Sequence, residues 1–257
     1  MIHYHGCPLS GGTFTQLAYT GRHAMISYSC LDNMELIVEV CQSFCFDNGA
    51  FTAWKSNQPF DIEGFAEWVN IWHRHPAFDF YVIPDAIDGD HHDNQKMRAQ
   101  WFNLVDSDIW KKGYPVWHLH EPLEVLQQMV VGWRGIAIGS SGQYSTIGTP
   151  DWWARMSEAM NILCDDQGRP LVKIHGLRML DPTVFSQFPF ASSDSTNVAR
   201  HCGSDARWKG AYVPPDKRTR AIVMMQRIEA HASAATWINT KKAPAKRHLS
   251  SSRRVLI

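Results

Sequence analysis

Three aspartates follow segments of β-strand character at widely separated points in the chain. They are Asp47, Asp85 and Asp194. If these segments are parallel strands of one barrel, the three carboxylates meet at the rim formed by the carboxyl ends of the strands. Paired carboxylates suit cleavage of a glycosidic bond, since one can attack or stabilise the anomeric carbon while the other handles protons. These residues alone do not say which sugar is involved.

Histidines and a glycine-rich turn end other segments of the same kind. His118 and His120 are two residues apart and therefore on one face of a strand. His175 ends another segment, and the turn 139–142 (GSSG) ends a further one. These features and the three aspartates also have purely structural interpretations. An aspartate that follows a strand often caps a helix, and the turn can be an ordinary tight turn. The histidines can be buried core groups. Their convergence on one rim favours a site.

Eight short β-rich runs alternate with segments of helical period, which indicates a parallel sheet with helices outside it. Eight strands also close a barrel, so we predict an α/β fold of the (β/α)8 TIM type in a single domain, with a doubly wound open sheet as the alternative. The connection between residues 5 and 24 is predicted to be loop rather than helix. The predicted strands are Ile2–His5, Ala24–Ser29, Ser43–Phe46, Phe80–Ile83, Val116–Leu119, Gly135–Ile138, Leu171–Ile174 and Phe190–Ser192.

Several helices have recognisable starts. Asp61 precedes apolar residues at positions 62, 65, 69 and 72, the spacing of one helix face. Thr149 and Asp181 each precede a proline at the first helical position. A further helix is predicted to open at Glu121-Pro122, and residues 216–235 are predicted to form a closing helix.

The composition is that of a globular intracellular protein. The 257 residues suit one large domain, and 44% hydrophobic with 19% charged residues is enough for a packed core. No apolar run reaches the roughly 18 residues of a membrane span, and the N-terminus lacks a signal-peptide pattern. The six scattered cysteines are then expected to be reduced thiols. We therefore expect a cytoplasmic protein with no membrane partner.

The formal net charge of zero conceals a basic C-terminus. Six of the 25 basic residues follow Glu229, whereas none of the 25 acidic residues does. We therefore divide the chain into a barrel domain, residues 1–238, and a basic tail, residues 239–257. The tail is either a solvated, flexible end or a contact to phosphates. Its basic residues are Lys241, Lys242, Lys246, Arg247, Arg253 and Arg254.

Four motifs resemble, in chain order, motifs of the tRNA-guanine transglycosylases. FDNGAF (46–51) resembles the motif after their third strand, and VIPDAID (82–88) their next strand, which ends in a base-reading aspartate. WRGIAIGSSG (133–142) resembles their glycine-rich turn after strand six. KIHGLRMLDPTVFSQFPFASSDSTNVAR (173–200) resembles the end of their barrel, where the last strand delivers a nucleophilic aspartate. The similarity spans residues 43–200.

Within that superfamily, the resemblance is closest to the DNA-guanine transglycosylases, which insert 7-deazaguanines such as preQ0 into phage and bacterial DNA. It implies that Asp194 is the nucleophile, Asp47 the general acid/base and Asp85 the residue that pairs with the guanine edge. It also implies that Phe51 stacks on the bound base. The other substrate-binding residues that it implies are Asn48, His118, His120, Gly139, Ser140, His175 and Gly176.

Some of these positions depart from the family pattern. His120, or alternatively His118, stands where the family has a base-binding glutamine, so hydrogen bonding there must differ. Gly139 and Ser140 would supply backbone donors to the base carbonyl. His175 falls near a position that is an apolar stacking residue in the family.

The family's zinc site has no counterpart in this sequence. The tRNA enzymes carry C-x-C-x-x-C and a histidine after the nucleophile, whereas only Cys202 follows Asp194 here. Cys41 and Cys45 are four residues apart, with His201 and Cys202 downstream, which is a weak pattern for tetrahedral zinc. We therefore predict no metal and no cofactor. Because the zinc subdomain helps to position tRNA in the family, its absence favours DNA as the partner and the basic tail as the contact to it.

The sequence thus predicts a base-exchanging pentosyltransferase that replaces guanine in DNA by a free 7-deazaguanine base through a covalent glycosyl-enzyme. A target base must leave the stack to reach a barrel mouth, so flipped or single-stranded DNA is expected. Accessory modification proteins are further expected partners, and the compartment is the host cytoplasm if a phage encodes the protein. The alternatives are a tRNA-guanine transglycosylase, a carbohydrate-directed glycosidase on the same barrel, and a non-catalytic partner subunit.

Overall fold

A computed structural model describes residues 1–7, 12–87, 89–202 and 213–238 of the chain. In these ranges, nine strands form one all-parallel sheet in the order β5-β4-β3-β2-β1-β9-β8-β7-β6. The sheet is nearly closed into a barrel, which confirms the predicted TIM-type fold. The strands are β1 Ile2–Gly6, β2 His23–Ser27, β3 Ser43–Asp47, β4 Phe78–Val82, β5 Gly113–Tyr114, β6 Val116–His118, β7 Gly135–Gly139, β8 Lys173–Gly176 and β9 Ser192–Ser195.

Proline divides one strand of the barrel into β5 and β6. The Tyr114 carbonyl accepts a hydrogen bond from Ile83 N–H on the β4 side, and the Pro115 carbonyl accepts one from Ala137 N–H on the β7 side, both at 2.9 Å. Pro115 has no N–H to donate to a ladder, which explains the break at this position. Because only this residue separates the two edges of the sheet, residues 113–118 connect them and serve as the fifth of eight strands.

Helices follow most of the strands and pack outside the sheet. They are α1 Gly12–Tyr19, α2 Met34–Val40, α3 Ala50–Lys55, α4 Ile62–Trp72, α5 His91–Leu104, α6 Ser107–Trp110, α7 Leu123–Gly132, α8 Pro150–Leu163, α9 Pro182–Phe185, α10 Asn197–His201 and α11 Lys217–Glu229. Within the described residues, no helix has the length and apolar character needed to cross a membrane.

The predicted helix caps are largely confirmed. The side chains of Asp61, Asp181 and Asp216 accept hydrogen bonds from N–H groups in the first turns of α4, α9 and α11, at 2.9, 3.0 and 2.8 Å. Thr149 does the same for α8 at 3.3 Å. The helix predicted to open at Glu121-Pro122 is α7, which has Pro122 as its N-cap residue. The closing helix ends at residue 229, earlier than predicted.

The prediction of a loop between the first two strands was wrong. Residues 12–19 form α1, which is followed by a tight turn through Gly21 at φ 70°. Buried Ala18 and Tyr19 anchor this short helix in the core outside the sheet. The Tyr19 hydroxyl donates a hydrogen bond to the Gly6 carbonyl at 3.0 Å, so the helix is tied to the end of β1.

Side chains from seven strands fill the lower barrel interior. Phe80 stacks on Tyr114 with ring centroids 4.2 Å apart, and Tyr4 meets Phe80 edge-on at 5.7 Å. The Tyr4 hydroxyl donates to Asp79 Oδ2 at 2.6 Å. This layer fills the barrel interior below the carboxyl ends of the strands. The interior cluster comprises Tyr4, Met25, Cys45, Phe80, Val82, Tyr114, Val116 and Ala137.

Candidate functional site

A cavity of about 1410 Å³ opens at the carboxyl ends of the strands. Asp47 from β3, Asp85 after β4, His118 from β6 and Asp194 from β9 all line it. The expectation that the three aspartates share one rim is therefore met. The volume exceeds the roughly 300–1,000 Å³ of ordinary ligand pockets.

Asp47 has the environment of a proton-transfer group. Burial, together with the neighbouring negative charges of Asp194 and Asp85, raises the pKa of Asp47 from 3.8 to about 6, against an opposing hydrogen bond from Ser27. The Ser27 hydroxyl donates that bond to Asp47 Oδ2 at 2.8 Å. A carboxyl group with a pKa this close to neutrality can both give and take a proton near pH 7.

Glycine is required two residues after this aspartate. Gly49 adopts the left-handed conformation, φ 78°, immediately before α3. A Cβ at this position would lie 2.9 Å from the Ser29 backbone nitrogen, closer than side chains tolerate. The turn sends α3 across the rim of the cavity, and Phe51 on that helix lines the cavity with 43% of its surface exposed.

Asp194 is held by a backbone N–H rather than by a hydroxyl group. It lies in β9 with 7% of its surface exposed, and the backbone N–H of Arg178 donates to its Oδ1 at 2.9 Å. Within the described part of the chain, Oδ2 of this carboxylate receives no hydrogen bond. One oxygen is therefore fixed by the protein while the other remains available to a molecule in the cavity.

Asp85, Asn48 and His118 form a buried hydrogen-bonded group on the opposite wall. Asp85 accepts from Asn48 Nδ2 at 2.9 Å and is paired with His118 Nε2 at 2.8 Å. Burial opposes the charged form of His118, but the hydrogen bond and charge of Asp85 outweigh it and raise the pKa of His118 above 6.5. Carboxylate oxygens can accept further bonds, so Asp85 remains able to read a ligand N–H.

The Asn48 side chain also holds the turn between β3 and α3 in place. Its Nδ2 donates to the Ile83 carbonyl at 3.1 Å, and its Oδ1 accepts from Ala50 N–H at 2.9 Å. These bonds tie the end of β4 to the start of α3. The structure thus gives Asn48 a supporting role beside Asp85 in addition to its place on the cavity wall.

The turn after β7 is packed against the two predicted histidines. A Cβ on Gly139 would lie 2.8 Å from His118 Nδ1, so only glycine fits there. Ser140 lines the cavity, and its Oγ accepts from Trp152 Nε1 at 2.9 Å. His120 contacts Ser141 Oγ at 2.7 Å and stacks on His118. His120 is not among the residues that line the cavity in the described structure, so His118 is the histidine that faces it.

His175 and Gly176 also lie away from the cavity surface in the described structure. His175 is fully buried in the barrel interior, with its ring 5.0 Å from Phe80. Gly176 allows the close packing of β8 on Phe190, since a Cβ there would lie 2.8 Å from that ring. Both residues thus support the site from behind rather than touching a molecule in the cavity.

Arg178 is a site residue that sequence reasoning missed. Its backbone has φ 59°, unusual for a residue with a side chain, and this conformation aims its N–H at Asp194. Its guanidinium donates to the Ser140 carbonyl at 3.0 Å and lies 5.3 Å from the centre of the Phe51 ring. The left-handed position of this turn is occupied by arginine rather than glycine, so the sequence carried no signal for that conformation.

Among the described residues, no three His, Cys, Asp or Glu side chains are grouped in a way that could hold a metal ion. Cys45 lies in the barrel interior, whereas Cys41 lies at the end of α2 and Cys202 at the end of α10. The predicted nucleic-acid contacts of the tail lie outside the described residues. They are Lys241, Lys242, Lys246, Arg247, Arg253 and Arg254.

Comparison with known proteins gives no match to a protein-family model, a curated protein or a solved structure. The likeness to the transglycosylases therefore depends on the motifs, and the chemistry has to be argued from the site itself.

Proposed function

We propose that this protein is a DNA-guanine transglycosylase, which exchanges guanine in DNA for a free 7-deazaguanine base through a covalent glycosyl-enzyme. The observation that carries the proposal is the pair of unlike carboxylates on one cavity. Asp194 is fixed through one oxygen, whereas the pKa of Asp47 is raised to about 6. Two carboxyl groups with such different environments suit a nucleophile and a proton-transfer group.

In the first half-reaction, Asp194 Oδ2 bonds to the deoxyribose anomeric carbon as the bond from that carbon to guanine breaks. The electron pair of the broken bond stays on the departing base, which Asp47 protonates. In the second half-reaction, the incoming base gives its N–H proton to Asp47 and attacks the same carbon. The ester to Asp194 then breaks, and the two inversions retain the configuration.

The cavity wall offers the contacts that a planar base needs. The exposed Phe51 ring provides a stacking surface, and the Asp85 carboxylate accepts N–H donors of the kind on the guanine edge. His118 holds Asp85 in place at 2.8 Å. DNA is favoured over tRNA by the sequence, which lacks the family's zinc motif and ends in a basic tail.

The decisive experiment compares variants for adduct formation on guanine-containing DNA in a denaturing gel, together with incorporation of labelled preQ0. Asp194→Asn is expected to abolish both the adduct and base exchange. Asp47→Asn is expected to slow exchange by roughly 10²–10⁴-fold while still forming the adduct through Asp194. Asp108→Asn removes one negative charge from an 85% exposed position and serves as the matched control. An adduct that maps to Asp47, or wild-type exchange by Asp194→Asn, contradicts the assignment.

A carbohydrate-directed glycosidase is the second candidate, favoured by one observation. Besides Phe51, the aromatic side chains of Trp54 and Trp153 line the cavity, as sugar-binding clefts require. The two proposals differ in substrate, so nucleoside mass spectrometry of DNA from cells that express the protein with a deazaguanine pathway distinguishes them. Release of reducing sugar from oligosaccharides, without altered nucleosides, would favour the glycosidase. The absence of both activities would favour a non-catalytic partner subunit.

A further inference from the structure

A buried histidine lies behind the Asp194 carboxylate. His175, with 0% of its surface exposed, comes from β8, and its Nε2 is 3.3 Å from Asp194 Oδ1. This contact lacks the alignment of a hydrogen bond, and the atom has no other described partner. Its Nδ1 lies 2.8 Å from Oγ of Ser192, which is the residue paired with His175 in the ladder between β8 and β9. A buried polar atom without a partner is costly and calls for an explanation.

The surroundings decide which nitrogen carries the proton of the neutral ring. An ionised carboxylate only accepts hydrogen bonds, so a lone pair on His175 Nε2 would face Asp194 Oδ1 with repulsion. A proton on Nε2 is instead attracted to that oxygen across the 3.3 Å contact, although the two are not aligned as a hydrogen bond. Nδ1 is then the acceptor of the Ser192 hydroxyl proton, which is the remaining way to satisfy both contacts.

We propose that His175 is a positioning residue for Asp194, held in its Nε2–H tautomer by Ser192. Together with the Arg178 backbone N–H, it anchors Oδ1 and leaves Oδ2 directed to the cavity. The role of Asp194 as nucleophile rests on the proposed function, whereas the tautomer does not. Such contacts are often poorly aligned in free enzymes and tighten in the reacting complex.

The anchoring leaves the proton balance of the reaction unchanged. The His175 proton stays on Nε2 throughout, while Oδ2 gains and then loses its bond to the anomeric carbon. Oδ1 retains its two N–H neighbours as it changes from a carboxylate oxygen to an ester carbonyl. The predicted effect is therefore on the rate of adduct formation and not on the affinity for DNA.

The first test needs no activity. Nitrogen-15 NMR of histidine-labelled protein identifies the tautomer of each ring, and His175→Gln assigns the His175 signals by their loss. We expect protonated Nε2 and unprotonated Nδ1 in the wild type, and a change in the Nε2 signal in Asp194→Asn. A His175 ring protonated on Nδ1 alone overturns the proposal.

The second test compares adduct formation in His175→Leu and His175→Gln. Leucine fills the space without a donor, whereas glutamine retains a side-chain N–H. His175→Leu should slow adduct formation roughly 10- to 100-fold with DNA affinity unchanged. A rate difference of this size is what the loss of one hydrogen bond to a charged group produces. His175→Gln should recover most of the rate. Equal loss in both variants, or a loss of affinity only, refutes positioning by this proton.

The two proposals fail differently. If the wild type forms no adduct, the proposed function is wrong, and the NMR experiment still decides the tautomer. If the wild type forms the adduct and His175→Leu forms it equally fast, only the inference about His175 is wrong. Circular dichroism and thermal unfolding of each variant verify that the barrel remains folded.

Discussion

Replacing Asp47 by asparagine should make the protein more stable, and the gain should depend on pH. The folded protein holds the Asp47 proton more tightly than the unfolded chain does, because burial raises the pKa from 3.8 to about 6. Below pH 3.8 the group is protonated in both states and costs nothing. As the pH rises toward and past 6, the folded state must carry a buried charge that the unfolded chain carries in water. Stability therefore falls across this interval.

The difference between a pKa of 3.8 and one of about 6 corresponds to about 3 kcal/mol at pH 8. Asparagine is a neutral isostere, so Asp47→Asn should recover most of this free energy above pH 7. Part of the gain is offset because the hydrogen bond from Ser27 to a charged oxygen becomes one to a neutral oxygen. Near pH 4 the variant and the wild type should have nearly equal stability.

Urea unfolding at pH 4, 6 and 8, with two-state transitions verified by fluorescence and circular dichroism, measures the difference. Asp108→Asn, at a position that is 85% exposed, should show no such trend. A variant that is no more stable than the wild type at pH 8, or a difference that does not change with pH, would refute the reasoning about the burial of Asp47. Confirmation would mean that folding stability is lowered by holding a buried carboxyl group in the cavity.

Other predictions concern the cavity wall and the tail. Phe51→Ala should weaken binding of the free base roughly 10- to 100-fold, since stacking is worth about 1–3 kcal/mol per base. Isothermal titration calorimetry measures the affinity, and an unchanged affinity would exclude stacking on Phe51. Gly139→Ala should destabilise the protein by about 1–3 kcal/mol in thermal unfolding, because its Cβ would crowd His118; a neutral effect would show that the wall yields. Truncation after Thr240 should weaken the salt dependence of DNA binding. The slope of the logarithm of the binding constant against the logarithm of the salt concentration should be smaller by up to about 5. An unchanged slope would mean that the tail is only solvated.

The fold could be predicted because its elements repeat a simple pattern. Apolar runs separated by helical segments were sufficient to place all eight barrel strands. The errors lie at the strand ends, where the site is. The predicted strands Leu171–Ile174 and Phe190–Ser192 begin and end earlier than the observed β8 and β9. Leu171 is 55% exposed and precedes β8, and β9 continues through Asp194 to Ser195. Polar residues turn into the barrel interior at these ends, so a search for apolar runs stops short of them.

The parts of the site that escaped prediction depend on backbone conformation and register. Arg178 contributes through a left-handed backbone conformation that glycine, not arginine, usually signals. His175 was expected at the cavity surface because it ends a strand, but the alternation of side chains along β8 places it inside the barrel beneath Asp194. The cavity surface and the interior below it lie on the same face of β8, so the height of His175 along the barrel decides between them, and spacing in the sequence does not fix that height.

The pairing of β1 with β9 ties the assembly of the site to the final step of folding. Tyr4 is the ladder partner of Asp194, a contact between residues 190 positions apart in the chain. Contacts of such long sequence separation form late and slowly, because the entropy of closing so large a loop is lost before the pairing compensates for it. Until β9 docks, both edges of the unfinished sheet are open to other strands, and Asp194 is away from Asp47. Recovery of adduct formation during refolding would therefore measure ring closure, and it should lag behind the recovery of helical signal.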